Sequence, residues 1–270
     1  MTDIKGKAAK LMLEVRAAKP LVHHITNFVV MNETANITLC TGARPVMAHA
    51  KEEVEEMVSA ADALVLNIGT LWPEQVDAMR LAAHRANECA VPIILDPVGA
   101  GATRLRTESA RRLLGEFSIA IARGNRAEIA VLIGCEANIR GVDSNGTAED
   151  PTKLAMKFAR QYGCTAAVTG PVDIVTDGTC VVRVANGHPF MNSITGTGCM
   201  ATSVVAAYAA VEKDFVSASA AALSAFGLAG EIAARTAHGP GTFHTNLYDA
   251  LAGLTEDAFR AGARIEVTNQ

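Results

Sequence analysis

Gly196 and Gly198 flank Thr197, and Cys199 follows, in the run Asn192-Ser193-Ile194-Thr195-Gly196-Thr197-Gly198-Cys199. Glycines at i and i+2 let a backbone come close to a ligand. Residues 200–207 continue as a helix pattern. Free amides at a helix start, together with the helix dipole, favour an anion. A phosphoryl group in transfer, its charge spread over three oxygens, is such an anion. The same pattern also suits a tight turn that packs a helix on a sheet, and two glycines alone do not choose between these. Cys199 stands where the helix field is strongest. A thiol there is expected to titrate below its reference value of ~8.5, and its thiolate would accept a proton from a substrate hydroxyl. A small buried core residue is the alternative.

Three further groups carry polar chemistry. In Arg123-Gly124-Asn125-Arg126-Ala127-Glu128, Asn125 and Glu128 are three apart and share a face of a starting helix. A carboxylate and an amide so placed suit a hydrated Mg2+, or equally an Asn N-cap closed by Glu in a capping-box variant. Arg123 just before them faces either a nucleotide phosphate or solvent. Asp96 opens Asp96-Pro97-Val98-Gly99-Ala100-Gly101, which fits a metal or phosphate loop, or a plain Asp-Pro turn. In His23-His24-Ile25-Thr26-Asn27, the adjacent histidines point to opposite faces of a strand and are rejected as joint metal ligands. Asn27 and Asn32 are better candidates for polar contacts to a substrate. Met47 is a candidate pocket wall or a core residue.

These residues need elements to position them. Apolar runs at 63–68, 91–95, 119–122 and 165–169 lack polar alternation, as strands covered on both faces do. Each is followed by candidates: Asn67 and Gly69, Asp96, Arg123 and Asn125, and Thr169 with Gly170. In open parallel sheets, ligands bind beyond the carboxyl ends of strands. Pro73 starts a helix to about Asn87, and Asp150-Pro151 caps another that ends near Gly163. Asp177-Gly178 separates two strands, 173–176 and 180–184, as an antiparallel hairpin. The last third reads as almost all helix, and residues 215–234 as a buried, closely packed one. The spacing predicts one α/β domain over residues 1–270 with a mostly parallel sheet.

Composition narrows the function. The chain has 270 residues, half of them hydrophobic, and a net charge of −4. Without a basic stripe there is no footprint for nucleic acid. No apolar run reaches the ~20 residues of a membrane span, and the N-terminus reads as an amphipathic helix with Ile4, Ala8, Leu11 and Val15 on one face rather than a secretory signal. The six cysteines form no CxxC pair, so neither a zinc site nor a dithiol is expected, and the usage fits a reducing cytoplasm.

The segments HHITNFVVMNETAN, RPVMAHAKEEV, LVLNIGTL, ILDPVGAGAT, RGNRAEI, AVTGPVD and NSITGTGCMATS follow one another in that order. Together they resemble the hydroxyethylthiazole kinase family of the ribokinase-like superfamily, over nearly the whole chain. The resemblance implies phosphorylation of the primary hydroxyl of 4-methyl-5-(2-hydroxyethyl)thiazole by Mg-ATP, on a ribokinase-like α/β core without a lid domain. It implies a homotrimer with active sites between subunits, so that Asn27 and Cys199 need not meet within one chain. Carried over by motif, Cys199 lies beside the substrate hydroxyl, and the amides of Gly196, Thr197, Gly198 and Cys199 form an anion hole. Asp96 and Glu128 hold Mg2+, mostly through water. Arg123, Thr169 and Asn125 take the ATP side, while Asn27, Met47, Gly69 and Gly196 line the thiazole pocket. His24 stands where the family pattern has Asn, and Glu33 and Arg44 where it has an apolar and a small residue. These departures bear on substrate preference. The alternatives are a kinase for another alcohol, such as hydroxymethylpyrimidine, or a non-catalytic thiazole-binding protein.

Overall fold

A computed structural model describes residues 4–134 and 150–268. Cys135 falls outside them. The chain alternates strand and helix through its first part: α1 (Ile4–Ala18), β1 (Leu21–Ile25), α2 (Met31–Thr41), β2 (Arg44–Val46), α3 (Val54–Ser59), β3 (Ala63–Asn67), α4 (Pro73–Glu88), β4 (Ile93–Asp96), α5 (Arg104–Glu116), β5 (Ile121–Asn125) and α6 (Arg126–Leu132). Then come α7 (Pro151–Tyr162), β6 (Thr165–Thr169), β7 (Asp173–Thr176), β8 (Val181–Val184), a 3-10 turn (Pro189–Ser193), α8 (Thr197–Val211), α9 (Phe215–Ala234), α10 (Pro240–Ala252), α11 (Glu256–Gly262) and β9 (Ile265–Thr268). Among the described residues the strands form one sheet in the order β2-β1-β3-β4-β5-β6-β7-β8-β9. It is parallel from β2 to β6 and antiparallel from β6 to β9.

The unalternating apolar runs became central parallel strands because both faces are covered; every residue of β3 and β4 is buried. The Asp177-Gly178 turn closes the expected hairpin. Asp177 Oδ1 accepts from the amides of Thr179 and Cys180, and Gly178 takes φ +94°. Two strands depart from the sequence reading. β2 contains Pro45, tolerated because the strand lies at the sheet edge. β9 lies in a stretch read as helical, yet its alternating Ile-Glu-Val-Thr pairs with β8 and exposes all but Ile265.

The sheet separates two apolar cores. One gathers α1, α8, α9 and α10; the other lies under α4, α5 and α7. By length and composition α9 is apolar enough to cross a membrane, which corrects the run-length expectation; it is, however, a core helix, packed against α8, α10 and α1. Its glycines permit close approach. A Cβ on Gly227 would sit 2.5 Å from the carbonyl oxygen of Asn186, which anchors the segment leading to α8.

His23 and His24 are wholly buried in β1, on opposite faces as the strand requires. His23 Nε2 donates to the Ala48 carbonyl at 2.8 Å. Burial lowers His23 to about 4 and His24 to about 3. Each stays neutral in the fold while the unfolded chain takes up a proton near its ordinary 6.5. Their stabilising contribution is therefore complete above pH 6.5 and is lost as the pH falls toward 4. Asp96 and Asp173, both raised to about 6, pull the opposite way in the same window. The effect is thus best read as a difference. Relative to a His24→Gln variant, the parent should lose about 1.4 kcal/mol per pH unit between pH 6 and 4.5 in urea unfolding. A pH-independent difference would contradict this burial account.

Candidate active site

The site lies at the carboxyl end of the parallel strands, where α8 meets the sheet. The register that places Asn67 beside Asp96 lets their side chains bond. Asn67 Nδ2 donates to Asp96 Oδ2 at 3.0 Å, and Asn67 Oδ1 accepts from Asn27 Nδ2 at 2.7 Å and from the Gly69 amide at 3.0 Å. From the helix side, Thr202 Oγ1 donates to the same Asp96 Oδ2 at 2.8 Å. Asn27 Nδ2 also lies 3.7 Å from Cys199 Sγ. Asn27 and Cys199 therefore meet within one chain, although an intersubunit site did not require it.

Gly196 is the N-cap of α8 at φ +82°, a conformation costly for any side chain, and a Cβ there would meet Val30 at 2.6 Å. The first amides of the helix have no intrahelical carbonyl to bond. Arg123 packs against this turn. Its Nη2 donates to Thr169 Oγ1 at 2.6 Å, its Nη1 lies 3.7 Å from Asp96 Oδ1, and its buried Nε has no partner among the described residues. A guanidinium with a spare donor beside open helix amides is a cradle for an anion. Gly198 makes the closeness possible, since a Cβ there would stand 2.6 Å from Arg123 Nη1. If the cradle holds the ATP that the resemblance implies, a Gly198→Ala variant should displace the guanidinium and raise KM for ATP about tenfold or more, about 1.4 kcal/mol of binding, with the KM for the alcohol changing less. Equal changes in both would contradict this assignment.

Burial dominates the electrostatics. Asp96 is fully buried and raised to about 6; Arg123 opposes the rise and Glu128 adds to it. Cys199 is pushed up to about 12 by burial and then by the Asp96 charge, while Asn67, Arg123 and Asn27 oppose. This corrects the expectation of a thiol lowered by the helix start: loss of water and a neighbouring carboxylate outweigh the helix field. At neutral pH Cys199 carries its proton.

Glu128 closes a capping box with Asn125. Asn125 Oδ1 accepts from the Glu128 amide at 2.9 Å, and Glu128 Oε2 from the Asn125 amide at 2.8 Å. Its other oxygen accepts from the Gly99 amide at 2.8 Å, which ties the Gly-rich loop to α6. The capping geometry is thus realised, and it leaves spare lone pairs on both oxygens. The residues fit a hydrated Mg2+. Asp96 Oδ1 is a buried acceptor with no hydrogen-bond partner, Glu128 lies within its electrostatic reach, and Mg2+ needs only one or two carboxylates besides water and phosphate. Among the described residues no group of three or more His, Cys, Asp or Glu side chains forms a denser cage.

Other expected residues are more peripheral. Met47 is half-buried just beyond the edge strand β2, two strands from β3. Thr197 Oγ1 donates to the Met191 carbonyl at 2.8 Å, leaving its amide as the group that faces the turn. Gly69 packs on Asn27, where a Cβ would come within 2.5 Å of Nδ2. Arg44 turns to the Lys19 carbonyl, and Glu33 adds its charge to the burial that raises Tyr248. Sequence reasoning named Asn67 without seeing its bridging role, and missed Thr202 and Arg106. Thr202 stands three residues after Cys199, a helical spacing that shares its face. Arg106 bonds the carbonyls of Val98 and Gly69, joining the Gly-rich loop to the pocket loop; its distance in sequence from both left no signal.

A profile of the hydroxyethylthiazole kinase family matches residues 12–257. A hydroxyethylthiazole kinase of Methanoculleus marisnigri is 57% identical over 258 residues, 96% of this chain and 92% of that one. One of Chloroflexus aurantiacus is 55% identical over 262 residues, 97% of each. The solved structure of a hydroxyethylthiazole kinase protein from Pyrococcus horikoshii superimposes with a TM-score of 0.90 at 43% identity, covering 97% of this chain and 99% of that one. A ribokinase-like superfamily protein of Enterococcus faecalis, at 13% identity and a TM-score of 0.63, shares the fold.

Proposed function

The chain belongs to the hydroxyethylthiazole kinase family and phosphorylates the thiazole alcohol of thiamine biosynthesis, and we propose that it does so with Mg-ATP in the cradle between Arg123 and the start of α8. The observation that carries this placement is Arg123, held by Thr169 and packed on Gly198 beside Asp96. Phosphoryl transfer asks for alignment and charge neutralisation more than covalent chemistry. Arg123, Thr169 and the amides of residues 196–199 bind and orient the phosphates of ATP, with Asn125 at the edge of the same turn. Asp96 and Glu128 would hold Mg2+, which would supply charge neutralisation for the phosphates. Asn27, Gly69, Gly196 and Met47 line the thiazole side.

Cys199, protonated at neutral pH, is a hydrogen-bond partner that places the hydroxyl; the alcohol proton, acidic once the O–P bond forms, leaves to an oxygen of the transferred phosphoryl group or to water. A Cys199→Ala variant should keep the KM for ATP and lose about a hundredfold in kcat; an unchanged kcat would rule the thiol out of positioning the hydroxyl.

The reading extends to assembly and place. Phe28 and Val29, next to Asn27, are exposed apolar residues, and Phe28 stacks on Trp72 at 4.9 Å. Such a patch beside a site supports closure by a second copy in a homotrimer. Five free thiols among the described residues support a cytoplasmic setting, and the family profile, spanning most of the chain, supports one kinase domain. ADP release measured in parallel with the hydroxyethylthiazole and with hydroxymethylpyrimidine tests the acceptor. The thiazole alone should drive turnover; preference for the pyrimidine would select the other kinase reading.

A further inference from the structure

The two oxygens of Asp96 differ in their partners. Oδ2 receives two hydrogen bonds, from Thr202 Oγ1 on α8 and Asn67 Nδ2 on β3. Among the described residues Oδ1 receives none, and it faces Arg123 Nη1 at 3.7 Å. The Asn67 amide cannot turn round, because its Oδ1 already accepts from Asn27 and from the Gly69 amide. Only its nitrogen is left for Asp96. Thr202 has an alternative acceptor, the Gly198 carbonyl one turn back at 3.3 Å, yet its shorter contact goes to the carboxylate. Its neighbour Ser203 instead bonds the Cys199 carbonyl in the usual i−4 fashion. Thr202 thus keeps a longer i−4 contact while its shorter bond goes to a buried charge.

Resting on the assignment of Asp96 to Mg2+, we propose that Thr202 and Asn67 are positioning residues that fix the Asp96 carboxylate from helix and sheet at once and present Oδ1 alone to the cation. Outer hydrogen bonds orient metal-binding carboxylates and commonly govern affinity. Through Asn67 the same clamp reaches Asn27 and Gly69, so the metal carboxylate and the alcohol pocket share one hydrogen-bonded chain.

The test is binding of Mn2+ to the protein saturated with the non-hydrolysable nucleotide AMP-PCP, followed by electron paramagnetic resonance, with melting temperature recorded for each variant. Thr202→Val keeps shape but removes the donor, and should weaken Mn2+ about tenfold. Thr202→Ser, which keeps the hydroxyl, should restore it. Should the valine variant not fold, Thr202→Ala carries the same expectation. Parent-like Mn2+ affinity in Thr202→Val, with affinity lost in Asp96→Asn, overturns the clamp and leaves the metal assignment standing. Parent-like affinity in Asp96→Asn as well overturns the metal assignment and the clamp with it.

Discussion

An Asp96→Asn variant should lose about a thousandfold in turnover and yet, without Mg2+, melt at a higher temperature than the parent. The two effects share one cause. Asp96 is fully buried, and its folded-state value of about 6 lies above the ordinary 3.8. A raised carboxylate stabilises the fold only while it is protonated. That contribution is present below pH 3.8 and is lost as the pH rises through 6. At pH 7 the ionised group therefore costs about 3 kcal/mol. Asparagine keeps an oxygen for Thr202 and Asn67 and removes the charge, recovering up to that amount, or a rise of up to about 6 °C for a chain of this size. The gain should shrink as the pH is lowered from 7 to 4. Calorimetric melts of both proteins at pH 7 and pH 4.5, without divalent ions, check it. A variant less stable than the parent at pH 7 would contradict the electrostatic account. In the parent, excess Mg2+ should recover part of the same cost by binding the charged form.

Arg123→Gln should be the most damaging single change at the phosphate side, lowering kcat/KM for ATP by about a thousandfold or more. In the proposed site the arginine neutralises transferring phosphate; it also faces two buried carboxylates. Its charge lowers both Asp96 and Asp173, against the burial that raises each to about 6. Without it both carboxylates should titrate higher still, so the variant should be less stable than the parent at pH 7 and approach it at pH 4.5, the reverse of the trend for Asp96→Asn. Parallel kinetics and urea unfolding at the two pH values separate the roles. Lost activity with unchanged stability at both would confine Arg123 to the ligand.

The layout of the site was legible in the sequence because chain direction does much of the placing. Apolar runs without alternation had to be covered strands, and whatever follows such runs lies at one end of a parallel sheet. Asn67, Gly69, Asp96, Arg123 and Thr169 were found that way. Capping chemistry was legible only as an alternative: Asn125 and Glu128 have the same spacing whether they close a helix or face a metal, and the coordinates show the cap closed with lone pairs to spare. Side-chain bridges between distant segments were not legible. Thr202 and Asp96 are 106 residues apart, and Arg106 and Gly69 are 37 apart; their meeting depends on how α8 and α5 dock. The Cys199 thiol went the other way from its local signal, because the field of a helix start is a property of neighbouring residues whereas desolvation belongs to the whole fold. β9 was missed for a similar reason, as four residues of alternating pattern become a strand only when β8 offers an edge.

Phosphoryl transfer from ATP to the thiazole hydroxyl at the start of α8 can be followed in one tube by phosphorus NMR of purified protein, Mg-ATP and 4-methyl-5-(2-hydroxyethyl)thiazole. The γ-phosphate signal should disappear with matching growth of ADP and a thiazole phosphate monoester, and Arg123→Gln should abolish the change. Thiazole binding with ATP left intact would contradict that transfer.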